Sequence, residues 1–213
     1  MSEGWQALGV GPQRKLIKER EMRFRVVAAI LLGAVVSVLP IAAQPGSFSA
    51  TGQQAPTQAP LRRPDIHWVP TPPAVVDAML KLADVKPTDV VYDLGCGDGV
   101  IVATAAQKYG ARAVGIDIDP QRVQEATERA QKMGVSDKVE IRQGDLFEAD
   151  IKDATVVTLY LLQSLNIKLM PKLQAELKPG TRIVSQSFNM GEAWPPDKQI
   201  EANGYNVYMW TVK

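Results

Sequence analysis

A glycine-rich run at residues 93–99, Asp-Leu-Gly-Cys-Gly-Asp-Gly, has the residue types and spacing best suited to binding a ligand. Its glycines Gly95, Gly97 and Gly99 carry no side chain, so the backbone can turn tightly and a ligand can approach it. A dinucleotide-binding turn needs Gly-x-Gly-x-x-Gly, but here valine follows the third glycine, and the Gly-Lys-Ser/Thr of a P-loop is absent. The carboxylate of Asp93 can hold a cationic amino group and would repel a pyrophosphate. The run therefore favours a ligand that carries a positively charged amino group.

A second carboxylate, Asp117, follows the next predicted strand, about 20 residues after the glycine run, which is the separation that one helix and one strand require. An acidic side chain at this place can accept hydrogen bonds from both hydroxyls of a ribose. Its neighbour Asp119 precedes Pro120 and can cap the helix that begins there. With Asp119 as the cap, Asp117 and the adjacent Ile118 are free to contact a ligand.

A third carboxylate, Asp145, follows the third predicted strand in the run Gly-Asp-Leu-Phe. It can accept a hydrogen bond from the amino group of an adenine, while Leu146 or Phe147 packs against the ring. Each of these acidic residues has a simpler explanation when it is considered alone, as a turn or a helix cap. Their order after three successive strands instead favours a nucleoside-binding site.

The elements that would position these residues alternate between strands and helices. Apolar runs and helical spacing predict strands at 90–94, 113–118, 139–143, 155–161, 182–188, 198–202 and 205–212, and helices at 71–82, 99–109, 120–133 and 166–177. In the first helix Thr71 is the predicted cap. Single helices between strands indicate parallel pairing, and Asn203-Gly204 predicts a hairpin between the last two strands. The expected fold is α/β, a Rossmann-like doubly wound and mostly parallel sheet with a C-terminal antiparallel hairpin.

Composition excludes several kinds of site. The chain has 213 residues and a formal net charge of +1, so no strong overall charge attracts nucleic acid. It contains one cysteine and one histidine, which excludes an intrachain disulfide and a metal site built on several of these residues. We therefore expect no metal and no nucleic-acid partner.

The N-terminal third differs from the rest. Residues 26–39 are apolar and uncharged, six basic residues stand between positions 14 and 25, and Pro40 and small residues follow. This pattern is typical of a secretory signal peptide. The alternatives are an uncleaved membrane anchor and a buried core helix, although nothing amphipathic flanks the run to bury it. A chain that started at Met22 would open directly with this segment.

The sequence thus divides into four segments. We predict a basic N-terminal extension at 1–23, a signal peptide or membrane anchor at 24–43, a flexible linker at 44–65 and a folded domain at 66–213. The linker is rich in glutamine, proline, alanine and serine, a composition that buries too little apolar surface to fold. If it is not cleaved, the segment at 24–43 attaches the protein to a membrane.

The combined pattern over residues 69–212 resembles class I methyltransferases that use S-adenosylmethionine. The resemblance implies the corresponding fold, a methyltransferase domain at 66–213, and S-adenosylmethionine as cofactor. It assigns to the cofactor the residues Asp93, Leu94, Gly95, Gly97, Asp98, Gly99, Asp117, Ile118, Asp145 and Leu146.

A narrower resemblance connects the chain to the lysine methyltransferases that modify the ATP synthase c subunit or the adenine nucleotide translocase. It rests on Val-Pro-Thr-Pro-Pro at 69–73, the glycine run, Asp-Leu-Phe at 145–147 and the apolar strand at 156–162 with the helix after it. Val100 departs from the arginine that is common in that family. The resemblance implies a protein lysine as acceptor, in some cases on a membrane protein, and a membrane or targeting segment before the catalytic domain.

In that family the segment after the fourth strand faces the methyl acceptor, which here places Tyr160 and Gln163 near it. Tyr160 is the candidate catalytic residue, as the wall of a pocket that lowers the pKa of the lysine by desolvation. Its alternative role is an aromatic residue of the core. No histidine stands near the motifs to take the proton of the lysine. The Asn/Asp-Pro-Pro-Tyr/Phe signature of amino-group methylation on adenine or glutamine is absent.

Two further functions remain open at this point. One is methylation of a small molecule such as a quinone or a lipid, and the other is a domain that binds the cofactor without catalysis. The N-terminal segment makes the protein membrane-associated or exported, while the cofactor is made in the cytosol. The sequence leaves open on which side of the membrane the domain acts.

Overall fold

The computed structural model describes residues 61–65 and 67–213. The predicted N-terminal extension, the segment at 24–43 and the linker up to residue 60 lie outside the described residues. Among the residues that are described, no helix is long and apolar enough to cross a membrane.

The structure contains a seven-stranded sheet of the order β3-β2-β1-β4-β5-β7-β6. The strands are β1 (Val90–Leu94), β2 (Arg112–Asp117), β3 (Val139–Gln143), β4 (Val156–Leu159), β5 (Arg182–Gln186), β6 (Lys198–Ala202) and β7 (Tyr205–Thr211). The first five strands are parallel, and β7 runs antiparallel to both β5 and β6. This confirms the predicted doubly wound sheet with its antiparallel hairpin.

Helices cover both faces of the sheet. They are α1 (Pro73–Leu82), α2 (Val100–Tyr109), α3 (Pro120–Lys132) and α4 (Gln163–Glu176). Residues of α1 and α2, such as Met79 and Val102, are buried in one core cluster with alternate strand residues. Leu169 and Leu173 of α4 belong to the cluster on the other face. Apolar strands that are buried on both faces are typical of parallel sheets.

The predicted turn chemistry is present at the hairpin and at α3. Asn203 and Gly204 have φ values of +50° and +79°, the left-handed pair that a type I′ hairpin turn requires. Asp119 caps α3, since its carboxylate accepts a hydrogen bond of 2.9 Å from the backbone N–H of Gln121. This cap leaves Asp117 free of that role, as the sequence predicts.

Two predicted helix starts were wrong. Thr71 does not cap α1, because Pro72 occupies the N-cap position and no side chain bonds there. The fourth helix begins at Gln163 rather than at residue 166 and has no capping side chain, so the sequence carries no start signal. Asn166 lies one turn inside the helix, where its amide donates to Ser185 and to the carbonyl of Phe188.

Candidate functional site

A cavity of about 1140 Å³ lies at the carboxyl ends of the parallel strands. The strand order reverses between β1 and β4, the place where open α/β sheets bind ligands. Residues of β1 and β2, residues that directly follow β3 and β4, and residues of the chain before α1 line it. Among the predicted site residues its walls include Asp93, Gly95, Asp98, Asp117, Ile118, Asp145, Leu146 and Tyr160.

The glycine run forms the turn between β1 and α2. Gly95, Gly97 and Gly99 have φ values of +82°, +52° and +75°, in the region that favours glycine. A side chain on Gly99 would place its Cβ 2.7 Å from the Cβ of Ala126. The turn is tied to β2, because the N–H groups of Gly95 and Cys96 both donate to the carbonyl of residue 116, at 2.8 and 3.0 Å. The backbone thus turns tightly enough for α2 to begin beside the cavity.

Asp93 is the last but one residue of β1, and only 3% of it is exposed. Its carboxylate accepts a hydrogen bond of 2.7 Å from the hydroxyl of Thr158 on the neighbouring strand β4. Burial raises the pKa of Asp93 to about 7, against the hydrogen bond from Thr158, and the nearby carboxylates of Asp117 and Asp98 raise the pKa further. A buried carboxylate with this pKa favours a cationic group beside it.

Asp117 ends β2 and faces the glycine turn. Its two oxygens accept hydrogen bonds of 2.8 Å from the N–H of Gly97 and 3.0 Å from the N–H of Asp119. Burial raises the pKa of Asp117, although these backbone hydrogen bonds act in the opposite direction. The carboxylate is held rigidly against the loop and retains lone pairs for further donors.

Asp145 follows β3 and is bound by Arg62. The guanidinium donates from Nη2 to Oδ1 at 3.1 Å and from Nε to Oδ2 at 2.5 Å, and the N–H of Phe147 donates to Oδ1 at 2.9 Å. Burial acts to raise the pKa of Asp145, but the hydrogen bonds from Arg62 and Phe147 hold that pKa below its usual value. The guanidinium carbon also lies 5.4 Å above the ring of Phe147.

Other residues predicted to contact the cofactor have different surroundings. Leu94 is fully buried in the core and is absent from the cavity wall. Asp98 lines the cavity, but its carboxylate is ion-paired with Arg129, whose Nε also donates to the carbonyl of Asp98 at 2.8 Å. Asp98 therefore fastens the glycine turn to α3. Ile118 and Leu146 lie on the wall of the cavity.

Tyr160 directly follows β4 and lies on the cavity wall. Leu161, Leu162, Leu165 and Phe188 line the wall with it, so this side of the cavity is largely apolar. Gln163 is not part of the wall. Its amide nitrogen donates to the side chain of Asn189 at 2.6 Å.

The sequence did not predict the segment before α1 as part of the site. Residues 61–65 and 67–69, here called the strap, contribute Arg62, His67, Trp68 and Val69 to the cavity wall. The expectation that no histidine stands near the motifs was wrong, since His67 lines the cavity. The sequence does not indicate this position, because His67 is distant from the motifs along the chain. It comes close to them because the strap returns over the carboxyl ends of the strands.

Trp68 fixes the strap against the glycine turn. A Cβ on Gly97 would lie 2.0 Å from the indole Nε1 of Trp68, so only a glycine allows this contact. The guanidinium carbon of Arg122, on α3, lies 4.5 Å from the centre of the Trp68 ring, so the two side chains form a cation–π contact. The tryptophan is therefore held between the glycine turn and α3.

The charges on the cavity wall are predominantly negative. Six aspartates line it against three arginines, and His67 also lies on the wall. In a cleft with low-dielectric walls such an excess attracts cations and repels anions. The described residues contain no group of three histidine, cysteine or acidic side chains that could hold a metal ion.

Comparison with known proteins gives a consistent family. The model of the ANTKMT methyltransferase domain matches residues 93–198. A protein-lysine N-methyltransferase of Saccharolobus islandicus (strain REY15A) is 45% identical over 154 residues, which is 70% of this chain and 95% of the relative. The adenine nucleotide translocase lysine N-methyltransferase of Mus musculus is 30% identical over 206 residues, 94% of this chain and 85% of that protein.

A solved structure is also similar. It is that of an RNA methyltransferase from Salinibacter ruber in complex with S-adenosyl-L-homocysteine. It is 60% identical, with a TM-score of 0.66, over 68% of this chain and 94% of that one. The relatives therefore agree on methyl transfer but carry names with two different acceptors.

Proposed function

The chain belongs to the S-adenosylmethionine-dependent protein-lysine methyltransferases, and from this premise we propose that it methylates the ε-amino group of a lysine in a protein. The observation that carries the proposal is the acidic cavity, with a buried carboxylate at one end of β1 and an apolar wall beside Tyr160. Both the cofactor and the acceptor of such a reaction are cations on entry.

The residues of the cavity fit the cofactor. Asp93 can hold its amino group, Asp117 its ribose hydroxyls and Asp145 its adenine amino group, in the order in which β1, β2 and β3 lie in the sheet. When bound, S-adenosylmethionine supplies a methyl group on a positively charged sulfur. The chain positions the acceptor in line with that methyl group and excludes water from it.

The charge of the domain supports a protein acceptor. Residues 61–213 hold 18 lysines and arginines against 20 aspartates and glutamates, so the part that carries the cavity has a net charge of −2. An RNA substrate brings one negative charge for each phosphate, and proteins that bind RNA present basic surfaces to it. The acidic wall disfavours that acceptor, which the name of the Salinibacter ruber protein suggests.

The acceptor lysine must lose its proton before it attacks. Its ordinary pKa is about 10.4, and the carboxylates of the cavity raise that pKa while the apolar wall lowers it by desolvation. Tyr160, Leu161, Leu162 and Phe188 form that wall. We propose that the lysine chain passes along them, so that its amino group is partly desolvated where the methyl group is transferred.

The test is transfer of a labelled methyl group from S-adenosylmethionine to total protein, RNA and lipid of the source cell. The proposal expects label that protease releases and ribonuclease does not, and methyllysine after acid hydrolysis. Label in RNA or in an organic-soluble compound would refute the lysine acceptor. Asp117→Ala is the inactive control, and Asp137→Ala, an exposed aspartate before β3, is its matched active control.

The place of action is a separate proposal that rests on the sequence. We propose that the segment at 24–43 holds the enzyme at a membrane or exports it, so that the acceptor is a membrane or exported protein. Protease added to intact spheroplasts distinguishes the two sides, because only a domain outside the cytoplasmic membrane is digested. Label found only in soluble cytosolic proteins would contradict the proposal.

A further inference from the structure

Arg62 and Asp145 form the contact that joins the strap to the adenine end of the cavity. The guanidinium binds both carboxylate oxygens, and the ion pair is only partly exposed, with 36% of the Arg62 side chain and 14% of the Asp145 side chain accessible. Arg62 is also ion-paired with Asp65 within the strap. Nothing in the sequence pattern of the two residues, which are 83 positions apart, indicates this pair.

The hydrogen bonds at Asp145 occupy three of the acceptor sites of its carboxylate. A carboxylate offers about four lone-pair sites, two on each oxygen. Oδ1 accepts from Arg62 and from the N–H of Phe147, and Oδ2 accepts from Arg62. Arg62 and Asp145 both line the cavity, so an adenine amino group that binds Asp145 must share the carboxylate with a guanidinium that is bonded to both oxygens.

We propose that Arg62 competes with the adenine amino group of the cofactor for Asp145, so that cofactor binding weakens the ion pair. This inference rests on the proposed function, because Asp145 is there the adenine-binding residue. Trp68 lets the rest of the strap remain in place, since the Gly97 and Arg122 contacts of Trp68 do not involve Arg62. Arg62 is therefore a determinant of cofactor affinity that opposes binding.

The competition predicts the effect of removing the arginine. The measured dissociation constant of a ligand rises by the inverse of the fraction of protein that is competent to bind it. Arg62→Ala should therefore bind S-adenosylhomocysteine more tightly, by about twofold to fivefold for a partly exposed ion pair. In the background of Asp145→Ala the same substitution should change the affinity by less than about twofold.

A ligand analogue makes the test specific. S-inosylhomocysteine carries an oxygen in place of the adenine amino group, so it offers Arg62 an acceptor instead of competing with it. Arg62→Ala should weaken binding of this analogue while it strengthens binding of S-adenosylhomocysteine. Higher ionic strength weakens the ion pair, so it should bring the wild-type affinity for S-adenosylhomocysteine closer to that of the variant.

Isothermal titration of both ligands into the purified full chain provides the measurement. Arg112→Ala is the matched control, because it removes the same charge from an exposed position at the amino end of β2, and its affinities should equal those of the wild type. Weaker or equal binding of S-adenosylhomocysteine by Arg62→Ala would overturn the inference, as would the same change with both ligands. Failure of the wild type to bind either ligand would instead refute the proposed function.

Discussion

Replacement of Asp93 by asparagine should stabilise the protein near neutral pH and remove its affinity for the cofactor. In the folded chain burial raises the pKa of Asp93 from 3.8 to about 7. The unfolded chain exposes the group, so its pKa there is near the ordinary value. A buried acid of this kind favours folding in its protonated form and opposes folding when it is ionised.

The sign and size of the effect follow from the two pKa values. Between pH 4 and pH 7 the folded protein keeps a proton on Asp93 that the unfolded chain has lost, so the free energy of unfolding falls as the pH rises. Each pH unit in this window is worth about 1.4 kcal/mol, which gives an upper limit of about 4 kcal/mol for the full loss. Asparagine does not titrate, and it retains an acceptor for the hydroxyl of Thr158.

The assay is denaturant unfolding of the wild type and of Asp93→Asn at a series of pH values from 4 to 8, without ligand. The stability of the variant relative to the wild type should rise across the window, by up to about 4 kcal/mol, and stay constant above pH 7. Titration with S-adenosylhomocysteine should show binding only to the wild type, because the amino group of the ligand loses its counter-charge.

Asp89→Asn supplies a matched control at the other end of β1. Asp89 is also buried, but it accepts from Arg182 at 2.5 Å and from the hydroxyl of Thr155 at 2.7 Å. Its replacement should destabilise the protein by breaking this ion pair and leave the affinity for S-adenosylhomocysteine unchanged. Parallel pH curves for Asp93→Asn and the wild type would refute the reasoning about burial. Binding by Asp93→Asn within about twofold of the wild type would refute the site.

Two further substitutions test the glycine turn and its partners. Asp117→Ala removes the proposed ribose acceptor and the hydrogen bond from the N–H of Gly97. Calorimetry should therefore show an affinity for S-adenosylhomocysteine that is at least about 100-fold lower. An unchanged affinity would contradict the assignment. Gly97→Ala combines a φ of +52° with a Cβ 2.0 Å from Nε1 of Trp68, so thermal unfolding should show a loss of about 1 to 3 kcal/mol. In the background of Trp68→Ala only the backbone part, about 1 kcal/mol, should remain, and an equal loss in both backgrounds would show that the strap does not contact this glycine.

Most of the fold could be predicted because short apolar strands alternate with helices that have clear ends. The strand at Val139–Gln143 and the hairpin at Asn203-Gly204 appear where apolar runs and turn residues indicate them. The strand bearing Thr158 ends two residues earlier than predicted, at Leu159, and α4 begins soon afterwards at Gln163. Here apolar residues continue from the strand into the helix, so hydrophobicity cannot locate the boundary.

The three carboxylates of the site could be predicted for a topological reason. Each of Asp93, Asp117 and Asp145 lies at or just after the carboxyl end of a parallel strand, and these ends meet at one edge of the sheet. Linear spacing therefore predicts that they lie close together. Leu94 shows the limit of this inference, because alternate residues of a strand point to opposite faces and its side chain is buried in the core.

The strap could not be predicted from sequence. Arg62 lies in the segment that composition indicates as a flexible linker, and Trp68 precedes a run of prolines without helical or strand periodicity. Both residues are placed by contacts with distant partners, Asp145 and Gly97. Propensity and periodicity describe local structure, so they carry no information about such contacts.

The partners of the acidic residues indicate how a cofactor is oriented in the cavity. Asp98 is paired with Arg129, Asp145 with Arg62, and Asp117 with two backbone N–H groups. Among the described residues Asp93 has no cationic partner and accepts only from the hydroxyl of Thr158. A cation gains most beside the buried carboxylate that lacks a counter-charge, which supports our proposal that the amino group of the cofactor binds at Asp93 and its adenine at the far end of the sheet edge, at Asp145. In this proposed orientation the methyl group, which is close to the amino end of the cofactor, lies nearest the wall that contains Tyr160 and Phe188, and we therefore propose this wall as the place for the acceptor.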